Sequence, residues 1–264
     1  VKEKPDMTYC VGMRLDRGLI FMADTRTNAG IDNVSRFRKL FTWSVPGDRV
    51  ITILTAGNLA TTQAVISLLD ERSKIPEERN PGLLKAPTMF QVAKLVGETL
   101  KEVIRTQAGS GPEASNTFEA TLIVGGQIAG IEARLFMVYP EGNFVEASDE
   151  TPFFQIGETK YGRPILLRAF DPGMSFEEAV KLLAISYDST LKANLSVGMP
   201  LDLLTYEKDS LEPGRQQRFE MNDPYMSAVS SGWRDALQAA FELLPDFTFD
   251  ETFIEPSRSE VRHG

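Results

Sequence analysis

The chain of 264 residues is 42% hydrophobic and 25% charged, enough to bury one large sandwich-type domain or two small ones. A formal net charge of −9 argues against a nucleic-acid partner, because phosphate contacts need a surplus of Lys and Arg. One cysteine, Cys10, and one histidine, His263, beside the C-terminal Gly264, exclude an intrachain disulfide and a Cys/His zinc site and leave a histidine-based nucleophile without a well-held imidazole.

The general bases that remain are paired carboxylates, a lysine, a carboxylate-bound metal or a terminal amine. Apolar runs stay well short of the roughly 18 to 20 residues that a membrane span needs, and the first residues lack the basic and apolar regions of a signal peptide. A cytoplasmic protein without membrane contact is therefore expected.

Residues 8–15 alternate in polarity, and after the turn Asp16-Arg17-Gly18 a second apolar run over 19–23 ends at Asp24, which predicts a β-hairpin. A Gly-, Asn- and Asp-containing stretch, 25–33, leads to a strand over 37–44 carrying Arg38 and Lys39. After Pro46-Gly47-Asp48 another strand, 50–56, stops at Gly57. These four strands are expected to form one antiparallel sheet.

From Asn58, a good N-cap, Leu59, Ala60, Ala64, Val65, Leu68 and Leu69 recur at helical spacing. A Pro- and charge-rich connector, 75–87, precedes a second helix capped by Thr88, whose buried stripe is expected to run from Phe90 through Val92, Val96 and Leu100 to Ile104. After a Gly/Ser/Pro loop at 107–116, strands are predicted over 118–124, 135–139, 143–147 and 153–156. Helices follow at 161–170 and 175–195, the latter opened by a Ser175/Glu178 capping box, so Glu177 and Glu178 read as helix N-terminal charges rather than a catalytic pair. A strand over 201–207 is expected to close the second sheet, ahead of a helix over 224–244 and an acidic, aromatic tail around 247–253. This order predicts one domain of two packed sheets with helices on both outer faces.

Thr8 opens a strand, Asp24 ends the next, Lys39 follows the connecting loop, and Ala56-Gly57 precedes a helix. This arrangement resembles proteasome β-subunits and the bacterial HslV protease. Met7-Thr8-Tyr9-Cys10-Val11-Gly12, Ala23-Asp24-Thr25-Arg26-Thr27-Asn28-Ala29-Gly30, Phe37-Arg38-Lys39 and Thr55-Ala56-Gly57-Asn58-Leu59-Ala60-Thr61-Thr62 look specifically like Anbu, the proposed ancestral β-subunit of bacteria. The likeness runs from Met7 to about Leu244. It implies an α+β, four-layer α/β/β/α sandwich of the N-terminal nucleophile hydrolase class over 8–245, with a C-terminal tail over 246–264.

The same resemblance implies that Thr8, once at a free N-terminus, is both nucleophile and, through its α-amine of unperturbed pKa about 7.7 to 8.0, base. Lys39 would favour the neutral amine and stabilise the developing alkoxide, Asp24 would orient Lys39, and the Gly57 N–H would face the substrate oxyanion. Singly, Thr8 reads as a β-branched strand residue, Asp24 as a turn residue, Lys39 as a solvated lysine and Gly57 as a strand-to-helix turn; their joint order favours the catalytic reading. Cys10 reads as a small buried hydrophobe.

Two departures stand out. Residues 1–7 precede Thr8 and block its amine; they are expected to be a leader or an artefactual extension, with removal of Met7 exposing Thr8. Where the family carries a supporting serine, Ile156-Gly157-Glu158-Thr159 presents Glu158, and the late Asp-x-x-Ser-Gly segment corresponds to Asn194-Leu195-Ser196-Val197-Gly198, without the aspartate and with Ser196 as substitute. Glu158 is expected to raise the amine's pKa or to pair with Lys39. Thr27, Asn28 and Arg38 are the expected substrate-pocket residues. The resemblance implies a peptide or amide hydrolase needing no cofactor or metal, assembled from identical subunits in a ring or spiral, with any regulator a separate chain. The rivals are an assembly subunit without turnover and a non-peptide amide hydrolase.

Overall fold

The computed structural model of the chain describes residues 8–28, 34–74, 82–107, 118–247 and 249. Strands β1 (Tyr9–Leu15) and β2 (Gly18–Asp24) form the expected hairpin. A short ribbon, β3 (Arg26–Asn28) and β4 (Val34–Arg36), leads to β5 (Leu40–Val45) and β6 (Arg49–Gly57). Helices α1 (Leu59–Lys74) and α2 (Met89–Gln107) precede β7 (Ala120–Ile128), β8 (Arg134–Val138), β9 (Phe144–Glu146) and β10 (Phe153–Gly157). Helices α3 (Arg163–Ala169) and α4 (Phe176–Ala193), strands β11 (Leu201–Glu207) and β12 (Gln216–Phe219), and helix α5 (Pro224–Glu242) follow.

The strands divide into two five-stranded antiparallel sheets, ordered β10-β1-β2-β11-β12 and β5-β6-β7-β8-β9. Each is buried on both faces, which is why β2 reads as an unbroken apolar run. Tyr9, Val11, Met13, Ile20 and Met22 point to the helix layer with Leu183 and Tyr187, whereas Cys10, Leu19, Phe21 and Ala23 meet Leu54, Ala56 and Ile123 between the sheets. Ile51, Ile53, Leu122 and Val124 cover the other helix layer, α1 and α2. The result is the four-layer α/β/β/α sandwich.

Several boundaries differ from the sequence reading. The first four expected strands do not make one sheet: β1 and β2 belong to one layer, and β5 and β6 to the other. Alternation reports a strand but not which sheet it joins, and the 25–39 segment is long enough to cross between layers. Arg38 and Lys39 precede β5 rather than lie on it. β11 does not close the second sheet but pairs with β2 in the first, and β12, an exposed polar strand with little apolar signal, forms the edge beyond it. Phe90 is 45% exposed at the rim of the core, its ring edge-on to Phe144 of β9, while Val92, Val96 and Leu100 are buried as expected. The Asn58, Thr88 and Ser175 caps are all made, Asn58 Oδ1 accepting from the Thr61 N–H at 3.1 Å and Thr88 Oγ1 from the Gln91 N–H at 3.2 Å. The 107–116 loop after Gln107, most of the 75–87 connector and most of the tail lie outside the described residues.

Candidate active site

Strand pairing carries Thr8, Asp24 and Gly157 to one end of the first sheet. Tyr9 pairs with Gly157, Cys10 with Ala23, and Leu201 with Asp24. The end of β6 from the other sheet lies against the same region, for Cys10 Sγ reaches the Thr55 carbonyl at 3.6 Å. Thr8 itself immediately precedes β1 and is 7% exposed, with its carbonyl accepting from the Glu158 N–H at 2.6 Å.

Asp24 is fully buried, so it needs donors. Its Oδ1 accepts from the Tyr9 N–H at 2.9 Å and from Lys39 Nζ at 2.7 Å, while Oδ2 accepts from the N–H groups of Arg26 at 3.2 Å and Gly198 at 3.3 Å. Burial pushes the Asp24 carboxyl up from its ordinary range, and the Lys39 ammonium with the Tyr9 and Gly198 N–H groups pulls it back. Lys39, 4% exposed, also donates to the Arg26 carbonyl at 2.6 Å. Two fixed acceptors therefore aim an ammonium that is not solvated, unlike the bland strand lysine.

Gly57 ends β6 at φ +107°, where an added Cβ would come 2.5 Å from the Glu119 carbonyl oxygen. Thr55 N–H donates to the Lys39 carbonyl at 3.0 Å, and Asn58 N–H to that of Glu119 at 2.9 Å. Alternation along the strand then turns the Gly57 N–H toward the Lys39 side, beyond the last β5–β6 pair, Leu40 with Leu54. That direction is compatible with the oxyanion-facing role expected of Gly57.

The supporting candidates also converge. Glu158, 5% exposed, accepts from the Lys160 N–H at 2.6 Å and from Asn194 Nδ2 at 2.9 Å, while Asn194 Oδ1 accepts from the Ser196 N–H at 2.9 Å. Glu158 thus ties the strand β10 end to the α4 C-terminus. The pocket candidates are more dispersed. Thr27 sits half-buried on β3 opposite Ser35, and Asn28 pairs with Val34. Arg38 is exposed and lines a cleft of about 620 Å³ with Trp43, Ile66, Asp70, Asp202 and Arg218. The ribbon residue that reaches the buried pair is Arg26, through its backbone.

Tyr187, a helix residue 178 positions from Tyr9, carries no signal in the sequence, and Arg26 and Gly198 stand there only inside longer motifs, because their parts are played by backbone groups. Gly157 was noticed only as part of a motif. Its φ is +78°, and an added Cβ would collide with the Thr8 carbonyl.

A family profile described as "Proteasome subunit" matches residues 8–198. The proteasome subunit beta of Methanopyrus kandleri is 23% identical over 206 residues, covering 76% of this chain and 88% of its own. Proteasome subunit beta 2 of Korarchaeum cryptofilum is 29% identical over 200 residues, 75% and 90% of the two chains. Among solved structures, an Anbu (Gly-1) mutant from Hyphomicrobium sp. strain MC1 is 48% identical with a TM-score of 0.85, covering 91% of this chain and 99% of its own. Anbu (ancestral beta-subunit) from Yersinia bercovieri is 45% identical with a TM-score of 0.85 over 92% and 100%. A helical assembly of the Anbu complex from Pseudomonas aeruginosa has 46% identity and a TM-score of 0.84 over 92% and 99%. By sequence and by fold, the chain belongs to the proteasome-subunit family and, within it, to the Anbu group of ancestral β-subunits.

Proposed function

We propose that the protein is a threonine-dependent peptide or amide hydrolase whose nucleophile is Thr8 after removal of the residues before it. The observation that carries this reading is the double use of Asp24 Oδ1, which holds both the Thr8–Tyr9 peptide N–H and the Lys39 ammonium. In this mechanism the Thr8 α-amine takes the hydroxyl proton as Oγ attacks the substrate carbonyl carbon. The adjacent Lys39 charge favours the neutral amine, and the Gly57 N–H stabilises the tetrahedral oxyanion. The amine then returns the proton to the leaving nitrogen, leaving an acyl ester on Thr8 that water hydrolyses. Glu158, Asn194 and Ser196 support the site, and Thr27, Asn28 and Arg38 contact the substrate. The working form is a homo-oligomer, a reading supported by the helical assembly described for the Pseudomonas aeruginosa relative, and its expected location is the cytoplasm.

Intact mass before and after a peptide epoxyketone tests it, because this reagent closes its ring adduct only on a threonine with a free hydroxyl and a free α-amine. Loss of residues 1–7 and gain of one adduct, absent in Thr8→Ala, is the expected result. A chain processed to Thr8 that takes no adduct would sink the hydrolase reading and leave an assembly subunit.

A further inference from the structure

Tyr187, on α4, is fully buried, and its hydroxyl lies 2.7 Å from the Tyr9 carbonyl oxygen and 2.7 Å from that of Met22. One phenolic proton is shared by acceptors on two adjacent strands. Tyr9 directly follows Thr8, and Met22 is two residues before Asp24, so the bridge spans β1 and β2 just behind the candidate nucleophile and its carboxylate.

The Tyr9 residue is held at every polar atom. Its N–H donates to Asp24 Oδ1 at 2.9 Å, and its carbonyl faces Tyr187. Its hydroxyl accepts from Gln155 Nε2 at 2.7 Å and lies 2.8 Å from Ser186 Oγ, which donates to the Gly162 carbonyl at 3.0 Å. The Tyr9 and Tyr187 rings pack with centroids 4.5 Å apart. Gly162 has no Cβ because one would overlap both the Tyr9 hydroxyl and Ser186 Oγ. Such a connected, buried network is costly to leave half-made and correspondingly rigid.

We propose that Tyr187 is a positioning residue: it locks β1 to β2 so that the Thr8–Tyr9 peptide stays in register with the Asp24–Lys39 pair. The role rests on the hydrolase reading for its catalytic consequence, but the clamp itself is a statement about the Tyr9 amide. Rate falls steeply when reacting groups are misplaced by a fraction of an ångström to an ångström, so the effect belongs in turnover rather than in substrate affinity.

The test compares Tyr187→Phe, which keeps the ring, with Tyr206→Phe, which removes the hydroxyl of another tyrosine packed in the core, one that donates to Gln127 Oε1 at 2.7 Å, far along β11. Hydrogen exchange of the Tyr9 amide is read well below the unfolding temperature, with Ile53 in the other sheet as reference. Tyr187→Phe should speed Tyr9 exchange by about tenfold or more relative to Ile53, and Tyr206→Phe should not. In the processed enzyme, Tyr187→Phe should also lower the epoxyketone adduct rate by about tenfold with little change in half-saturation, while Tyr206→Phe leaves it within about twofold. Equal behaviour of the two variants in exchange would overturn the clamp. If the wild-type chain forms no adduct, the hydrolase reading fails, yet the exchange comparison still decides the clamp.

Discussion

Asp24 Oδ1 accepts from Lys39 Nζ at 2.7 Å inside a region where Asp24 is 0% and Lys39 4% exposed. A buried pair of this kind is dangerous to halve, because the survivor keeps its charge without water or partner. Lys39→Met should therefore destabilise the fold by roughly 3 to 5 kcal/mol and abolish adduct formation. The double variant Asp24→Asn/Lys39→Met should recover only part of the stability, because the Asn oxygen can still accept from the Tyr9 N–H while the Arg26 and Gly198 N–H groups lose their acceptor, and none of the reactivity. Urea unfolding beside intact mass separates the two; a double variant as unstable as the single one would show that the charge is not the cause.

Gly157 and Gly47 make a matched pair for the geometry around Thr8. Both have positive φ, +78° and +73°, but a Cβ at Gly157 meets the Thr8 carbonyl whereas one at Gly47 meets nothing within 4 Å. Each alanine substitution should cost on the order of 1 to 2 kcal/mol from the backbone conformation alone. Only Gly157→Ala should also suppress the adduct rate, by displacing Thr8. Equal adduct rates in the two variants would remove Gly157 from the site.

Asn194 Nδ2 donates to Glu158 at 2.9 Å, so Asn194→Asp sets a second, half-buried carboxyl against the buried Glu158. Like charges at that separation hold a proton, which raises the folded-state pKa of the introduced carboxyl above its unfolded value of about 3.9. The sign follows: relative to wild type, stability is intact below that unfolded value and is lost as pH rises through the folded one. Thermal unfolding from pH 4 to 8 should show a deficit that widens with pH. A constant offset would mean that the site admits water.

Burial pushes the Cys10 thiol up, far from the range where thiolate forms at neutral pH, and its Sγ faces the Thr55 carbonyl between the sheets. Labelling by a disulfide reagent at pH 8 should therefore track opening of the sandwich and accelerate with urea in step with unfolding. Stoichiometric labelling of the native protein within seconds would contradict the packing.

Much of the site was legible before any fold was drawn. Asp24 and Gly57 stand at strand ends that period and turn residues mark directly, whereas Lys39 precedes β5 instead of lying within the strand expected over 37–44, and the caps at Asn58, Thr88 and Ser175 are local hydrogen bonds between near neighbours. The expected pairing of Glu158 with Lys39 was one of two options for that acid; its described partners are Lys160 N–H and Asn194. That choice depends on which carboxylate lies nearer, a distance that spacing along the chain does not encode.

The sequence by itself determined the chemistry on offer: one threonine ahead of a strand, no useful histidine, a carboxylate and a lysine in the right order, and apolar runs that require burial on both faces. Tertiary structure decided which strands share a sheet, how Asp24 serves Tyr9 and Lys39 together, and that Tyr187 from α4 bridges the Tyr9 and Met22 carbonyls. The reason is physical. Local pattern is set by each residue's own solvation and backbone preference, whereas a buried polar group takes whichever donors or acceptors the packing of distant segments brings within reach.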